Sequence, residues 1–464
     1  MGVLRRSSQL LFLALFGYFL IRTKSPLPSA LPVDLFLRID PLLGLVNMIS
    51  SRTLVIKALP AFLLLSSAVI LGRFFCGWVC PLGSIHEFFH TLFVKRHHFA
   101  RYQALDLKEP PFDKLRTPLL IFILTAALFS ASFVWLFDPL ATLTRTFTLG
   151  LHSGAPLAIL LWAILLAMVA FNFIRPRFWC RNLCPLGSLL GLLARFNVFE
   201  REVSEECDDC LACQEACPVG MSLSRYLKSE CLQCRSCLRA CPLDAITFKT
   251  RWPQIFNPED KFDLSRRGFL ASLGMGILGA VSVKAGPLIG SKLGLSSAAY
   301  RSQRSIIRPP GALEEGKFVT SCARCGKCVQ VCPTGGLQPA LLEAGIEGLL
   351  SPRLIPRIGP CQADCLLCGQ VCPSGAISEL TAEEKRETQI GLAGIDRHRC
   401  LSWTEGITCL VCSQVCPYEA IELLWMNGGY HPTVKEWLCV GCGTCEHECP
   451  VEGPAAITVL ATRG

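Results

Sequence analysis

Cys207-Asp-Asp-Cys210-Leu-Ala-Cys213-Gln-Glu-Ala-Cys217-Pro218 is answered further on by Cys231-Leu-Gln-Cys234-Arg-Ser-Cys237-Leu-Arg-Ala-Cys241-Pro242. Each copy sets three thiols in C-x-x-C-x-x-C order, then a fourth just ahead of a proline. A triplet this tight wraps three corners of an iron–sulfur cube from one loop, and the proline stops the loop and starts the return. Zinc sites use cysteine pairs, which argues against zinc. In this spacing the fourth cysteine serves the other cluster. One [4Fe–4S] group is therefore expected on Cys207, Cys210, Cys213 and Cys241. A second is expected on Cys231, Cys234, Cys237 and Cys217.

The pattern resumes after a Gly/Ser-rich stretch at 286–305 that reads as a linker. Four blocks follow: Cys322, Cys325, Cys328 and Cys332; Cys361, Cys365, Cys368 and Cys372; Cys400, Cys409, Cys412 and Cys416; Cys439, Cys442, Cys445 and Cys449. The outer two are regular, and the inner two are stretched. Every block ends in Cys-Pro. Ala-Ile follows at 245–246, 376–377, 420–421 and 456–457, the return strand of a bacterial ferredoxin fold, repeated. The arrangement suggests a nested exchange of fourth ligands, first block with last and second with third. The count of six [4Fe–4S] groups leaves four cysteines of the chain's 28.

Upstream the chain is apolar. Of 464 residues 51% are hydrophobic and 17% charged, against about 25% charged in soluble domains, and the mean hydropathy is +0.43. The net charge of +9 is not gathered into a nucleic-acid patch, so no such partner is expected. Four apolar runs, Leu10–Ile21, Leu54–Leu71, Leu119–Phe137 and Pro156–Ile174, precede the first cysteine block. The last three match or nearly match a hydrocarbon layer of about 30 Å. The first is short, follows Arg5-Arg6 and also reads as a signal-peptide core. Arg73, Lys95, Arg96, Arg101, Lys108, Lys114 and Arg116 crowd the loop between the second and third runs. Arg175, Arg177 and Arg181 follow the fourth, while only Arg145 lies between the third and fourth. The loop after the first run is less clean, with Arg22, Lys24, Arg38, Arg52 and Lys57, and the balance of the loops decides. The N-terminus, the 72–118 loop and everything after Ile174 are then expected in the cytoplasm.

This apolar half repeats itself. Arg73-Phe-Phe-Cys76-Gly-Trp-Val-Cys80-Pro-Leu-Gly-Ser84 matches Arg177-Phe-Trp-Cys180-Arg-Asn-Leu-Cys184-Pro-Leu-Gly-Ser188, and upstream Asp40-Pro-Leu42 matches Asp138-Pro-Leu140. Two like units suggest a pseudo-two-fold axis along the membrane normal. It would gather Cys76, Cys80, Cys180 and Cys184, since each C-x-x-x-C presents one helix face. A shared metal or cluster, redox-active thiols and structural thiols all fit that set. His86 and His90 read as a solvated helix face, with a ligand role as the alternative. Asp40 and Asp138 read as corner residues capping helices, with proton acceptance as the alternative. No histidine lies inside the runs and no C-x-x-C-H occurs, so haem is not expected.

Between the cysteine-rich halves lies Ser265-Arg-Arg-Gly-Phe-Leu-Ala-Ser-Leu-Gly-Met-Gly-Ile-Leu-Gly-Ala-Val-Ser-Val-Lys-Ala-Gly286. It resembles a twin-arginine export signal, with Ala271 where that signal carries lysine. The arginines also read as the flank of an ordinary fifth membrane helix, which gives the same topology. Gly274-x-Gly276-x-x-Gly279 has no strand before it and is not a dinucleotide site. A fifth helix puts the last four blocks outside. Export of a protein already folded with its cofactors keeps sixteen thiols from oxidising there.

On these residues two families match. Residues 1–250 resemble the NapH/MauN quinol dehydrogenase membrane component. Residues 265–464 resemble the NapG/MauM exported four-cluster ferredoxin, through the twin arginines, Arg308-Pro-Pro-Gly-Ala-Leu313, Arg324-Cys325-Gly326-Lys-Cys328, Pro356-Arg-Ile-Gly359 and Cys400-x8-Cys409. The chain looks like both proteins fused, although cleavage after Val283-Lys-Ala285 would undo that. The expected architecture is a four-helix membrane bundle (1–200), a cytoplasmic two-cluster ferredoxin domain of α+β type (201–250), a linking helix (265–290) and a periplasmic four-cluster domain (306–464). The resemblance implies an integral protein of the bacterial cytoplasmic membrane that oxidises quinol from the membrane pool. It would pass electrons to a periplasmic cytochrome or a reductase such as that of nitrate. A second resemblance, to the RdxA/FixG oxidase-assembly proteins, implies copper handling at Cys76, Cys80, Cys180 and Cys184.

Overall fold

The computed structural model describes residues 2–24, 27, 32–94, 115–174, 176–219, 221, 228–250, 265–292, 306–426 and 428–462. Lys95, Arg96, Arg101, Lys108, Lys114, Arg175 and the linker beyond 292 lie outside the described residues. The chain forms two compact units. The first comprises 1–21, 35–146 and 159–280, and the second 22–34, 147–158 and 281–464.

The helices of the apolar half are α1 (Gly2–Arg22), α2 (Pro41–Ser51), α3 (Leu59–Leu71), α4 (Phe74–Trp78), α5 (Pro81–Phe89) and α6 (Arg116–Leu128). They continue with α7 (Pro139–His152), α8 (Ala155–Ala170), α9 (Phe178–Asn182), α10 (Pro185–Leu193) and α11 (Arg266–Lys292). Among the described residues two stretches are long and apolar enough to cross a membrane, Val3–Arg22 and Ala155–Phe173. Only 28% of each apolar window is buried. Leu10, Leu11, Ile159 and Leu160 face outward, the reverse of a soluble core helix.

The expected four spans are thus two long helices and two shorter ones. The second run spends its start on a 3-10 turn at Ile56–Ala58 before Pro60 opens α3. The third is interrupted at Ser130, held at φ 55°, before a short helix at Val134–Phe137. The sequence repeat is a structural one. Asp40 caps α2, accepting from the amides of Leu42 and Leu43 at 3.0 and 3.2 Å, and Asp138 accepts from Ala141 N at 2.7 Å at the start of α7. Cys80 and Cys184 cap α5 and α10, their sulfurs accepting from Gly83 N at 3.5 Å and Gly187 N at 3.2 Å. Each Pro after a cap sits where a helix needs no amide.

Helix α1 is built into this unit. Arg5 Nε and Gln9 Nε2 donate to the Gly77 carbonyl at 3.2 and 2.9 Å, and Ser8 Oγ donates to the Trp78 carbonyl at 3.1 Å. A cleaved signal core would forfeit these contacts. Helix α11 lies on α6. A Cβ on Gly276 would stand 2.8 Å from Thr125 Cβ and 3.0 Å from the Phe122 carbonyl. Ala280 packs with Ala126 and Ala131. The glycine run serves close helix approach. The first cysteine block is closed by antiparallel strands β1 (Phe199–Val203) and β2 (Ile246–Thr250), Phe199 opposite Thr250 and Val203 opposite Ile246.

The second unit is two α+β modules in series. In the first, β3 (Leu337–Pro339) pairs with β4 (Pro352–Leu354), and Ala312 bridges Ile377. In the second, β5 (Gly391–Ile395) pairs with β8 (Ile457–Ala461), and β6 (Ile421–Met426) pairs with β7 (Gly429–Val434). First strand with last, and middle strands together, is what the Ala-Ile returns imply. Strands this short carry little stability alone. The modules are held by small cores, such as Phe318, Val319, Ala376 and Ile377.

Candidate iron–sulfur centres

Four cavities in the second unit are each lined by four thiols. Site A has Cys322, Cys325, Cys328 and Cys372, and site B has Cys332, Cys361, Cys365 and Cys368. Site C has Cys400, Cys409, Cys412 and Cys449, and site D has Cys416, Cys439, Cys442 and Cys445. The empty space in each is between about 330 and 400 Å³. The exchange of fourth ligands is therefore between neighbouring blocks, first with second and third with fourth, and the nested expectation is corrected. The strand pairing decides it. Closing β5 on β8 brings Cys449 back to the third block, and the Ala312–Ile377 bridge does the same for Cys372 and the first.

The stretched spacings are absorbed locally. Residues 401–408 add a helical turn at Leu401–Thr404 whose Trp403 ring lies 4.4 Å from that of His431. The extra residue between Cys361 and Cys365 leaves the carbonyls of Gln362 and Cys365 to accept from Lys385 Nζ.

The donor set fits a [4Fe–4S] group. Backbone amides already point at ligand sulfurs: Ile377 N at Cys372 Sγ (3.4 Å), Ala420 N at Cys416 Sγ (3.3 Å) and Ala393 N at Cys439 Sγ (3.5 Å). Such bonds stabilise thiolate sulfur. Burial pushes Cys325 and Cys368 up to about 12, and neighbouring thiols add to it. Free thiols there would stay protonated at neutral pH, and a bound metal replaces the proton. Among the described residues no group of three or more ligands is tight enough to hold a single ion. A cube holds its thiolates farther apart than one ion does.

The four sites form a row. Cys328 of A and Cys368 of B are close enough to interact. Cys361 N of B donates to the Cys442 carbonyl of D at 2.8 Å. Cys445 of D interacts with Cys412 of C. The spatial order is A, B, D, C.

In the first unit Cys217 joins Cys231, Cys234 and Cys237, while Cys207 lies beside Cys213. The loop bearing Cys231 sits on the helical repeat. Any side chain on Gly77 would stand 3.0 Å from the Leu232 carbonyl, and Arg116 pairs with Glu230 at 3.1 Å. Beneath it Cys76, Cys80, Cys180 and Cys184 lie within interaction range of one another. Burial, then the other thiols, drives Cys80 and Cys184 well above the usual range.

Two buried arginines flank this set, and each reaches across the repeat. Arg177 Nη1 donates to the Cys76 carbonyl at 2.9 Å, and Arg73 Nη2 approaches the Cys180 carbonyl at 3.4 Å. Read along the chain they are loop cations, yet both are 2% exposed. The signal that would have found them is the repeat, which places an arginine three residues before each first cysteine. Two buried cations beside four thiols suit a centre of net negative charge.

His86 is buried rather than solvated. Asn172 Nδ2 donates to its Nδ1 at 2.6 Å, and burial with the Arg177 charge holds it down to about 4, so it is neutral. His90 closes α5. Asp40 and Asp138, 98 residues apart in sequence, lie within interaction range of each other, both with no exposed surface. Each spends Oδ1 on its helix amides and leaves Oδ2 without a donor. A proton held between two such carboxyls satisfies both.

Comparison with known proteins agrees with this construction. Profiles described as a 4Fe-4S binding domain match residues 54–99, 155–202 and 368–388, and 322–335. A 4Fe-4S dicluster domain profile matches 406–452. The ferredoxin-type protein NapG of Escherichia coli is 37% identical over 177 residues, 36% of this chain and 76% of that protein. The methylamine utilization ferredoxin-type protein MauN of Paracoccus denitrificans is 30% identical over 231 residues, 47% of this chain and 75% of its own. The chain belongs to the NapG/MauM and NapH/MauN ferredoxin-type families, joined in one polypeptide. It is an iron–sulfur electron-transfer protein. The uncharacterized protein MJ0749 of Methanocaldococcus jannaschii is 31% identical over 159 residues, and the chain spans 56% of its length. No solved structure matches.

In the NapG/MauM-type half, the signature arginines are structural. Arg357 donates to the carbonyls of Glu446, Cys449 and Val451 at 3.0, 2.9 and 2.9 Å, clamping one module to the next. Arg308 pairs with Glu315, donates to Ser351 Oγ at 2.9 Å and stacks on Phe318.

Proposed function

We propose that this protein oxidises quinol in a bacterial cytoplasmic membrane and delivers the electrons to a periplasmic cytochrome or reductase. The block at 207–241 would lie inside and sites A to D outside. One observation carries the reading. Segments 22–34 and 147–158, which the expected topology places outside, belong to the unit of sites A to D, whereas Gly77, Arg116 and Arg181, which charge places inside, contact the first cysteine block. An export signal, or simply a fifth crossing, at α11 agrees with that split.

Quinol oxidation yields quinone, two electrons and two protons. Iron–sulfur groups, when bound, accept electrons singly, so a pair must be divided. Cys76, Cys80, Cys180 and Cys184, with Arg73 and Arg177 offsetting their charge, are the residues that would hold a seventh group. Asp40 and Asp138 are the candidate acceptors of a quinol proton.

Topology is tested with a compartment-sensitive reporter after Gly464. It should report the periplasm, and changing Arg266 and Arg267 to lysine should abolish that. A cytoplasmic reporter in the unaltered chain sinks the two-compartment reading.

For the carboxyl pair, Asp138→Asn keeps a helix cap and a donor to Asp40 but removes the exchangeable proton. Quinol-driven bleaching of iron–sulfur absorbance should slow about 100-fold with a flattened pH profile. An unchanged rate would reduce both aspartates to caps.

A further inference from the structure

Site A differs from the other three in what surrounds it. The unit that holds it also contains segments 22–34 and 147–158, which continue from the apolar helices α1, α7 and α8. Lys327, between two cysteines of the site, is 3% exposed. Its Nζ donates to Thr23 Oγ1 at 3.0 Å and to the Val33 carbonyl at 2.9 Å. From the other segment Thr148 Oγ1 donates to the carbonyl of Cys325 at 2.7 Å. Val33 packs with Val331 and Val371, and Leu27 and Leu367 lie against that cluster.

Gly326 makes the approach possible. It holds φ +76°, and a Cβ there would stand 2.5 Å from Thr148 Oγ1 and 2.7 Å from Leu149. Nothing but glycine accepts both the backbone and the contact. An ammonium, a hydroxyl and a cluster of aliphatic side chains thus converge on one ligand loop. A buried lysine needs partners to offset desolvation. Here those partners, Thr23 and Val33, come from segment 22–34 rather than from the ferredoxin module.

We propose that site A is the electron entry of the C-terminal row, that Thr23, Val33 and Thr148 form its docking surface, and that Lys327 is the positioning residue that holds it there. The direction of flow rests on the quinol reading, but the docking does not. Electrons then travel A, B, D, C, and site C is the end offered to the acceptor. Lys327 also sets a positive charge beside Cys325 of site A, which favours that centre's reduced form.

The test uses the full chain in detergent with intact iron content. Gly326→Leu and, from the opposite side of the contact, Thr148→Trp should each slow quinol-driven reduction of the C-terminal centres at least 10-fold. Reduction of the N-terminal centres by quinol, and of all centres by dithionite, should be unchanged. Thr148→Trp leaves every ferredoxin residue in place, so it reads docking even if Gly326→Leu fails to assemble. Unchanged rates in Thr148→Trp overturn the proposal. A second readout needs no quinol. In a redox titration Lys327→Gln should lower the midpoint of one C-terminal centre, the same one that Cys372→Ser removes. No shift, or a shift of another centre, overturns it as well. Should quinol reduce no centre in the unaltered protein, the quinol reading fails, and the docking is then read from Thr148→Trp in the same titration, which should shift the midpoint of that one centre; no shift there overturns the docking.

Discussion

Cys372→Ser is expected to remove the centre at site A and to leave site C intact. Iron should fall by about four atoms per chain. The lost spectroscopic signal should be the one lost in Cys325→Ser, not the one lost in Cys409→Ser. Under a nested exchange Cys372 would complete the third block and the outcome would be reversed. The effect should extend past one metal group. Cys372 lies in the apolar cluster with Phe318, Val319 and Ile377, and its sulfur accepts from Ile377 N at 3.4 Å. Metal binding at such a site is folding free energy. The first module should become protease-sensitive, while β5 to β8 keep their pairing. Retention of site A in Cys372→Ser would refute the neighbour pairing.

Glu87→Ala is expected to destabilise the helical unit by about 3 kcal/mol, within the range for breaking a buried ion pair. Glu87 bridges Arg5 of α1 and Arg177 beside the four-thiol set, and Gln9 Nε2 donates to it at 3.0 Å. Its side chain is 20% exposed, so the carboxylate is partly screened, but Arg177 is 2% exposed and would be left uncompensated. The pH dependence has a definite sign. Burial raises the carboxyl's affinity for a proton, but Arg177, Arg5 and Gln9 outweigh it and hold Glu87 below the usual range. A depressed folded value means stability present above the ordinary glutamate range and lost as pH falls through the folded one. The gap between the unaltered protein and Glu87→Ala in thermal melts should therefore be largest at neutral pH and close in acid. A pH-independent gap would point to lost packing instead.

Iron–sulfur ligation was legible in the chain because three ligands of a cube come from one short loop, and loop reach is set by covalent geometry. The two like units in the apolar half were legible for the same reason. Asp-Pro and Cys-Pro are local stop-and-start signals, and the structure caps a helix at each. The small-residue run of α11 also read correctly, since a glycine stripe without a strand has nothing to do but pack.

What the chain alone left open depends on contacts between residues far apart in sequence. The fourth ligand of each site crosses from another block, and only the closing of β5 on β8 and of Ala312 on Ile377 decides which. Arg73 and Arg177 count as loop cations until folding buries each against the other repeat's cysteine carbonyl. Asp40 and Asp138 are two caps until folding buries their carboxyls beside each other. Lys327 is one more charged residue until Thr23 and Val33 meet it. Local spacing determined which residues can bind metal. Burial and long-range pairing, which spacing does not encode, decided which of them meet, and which charges lie beside them.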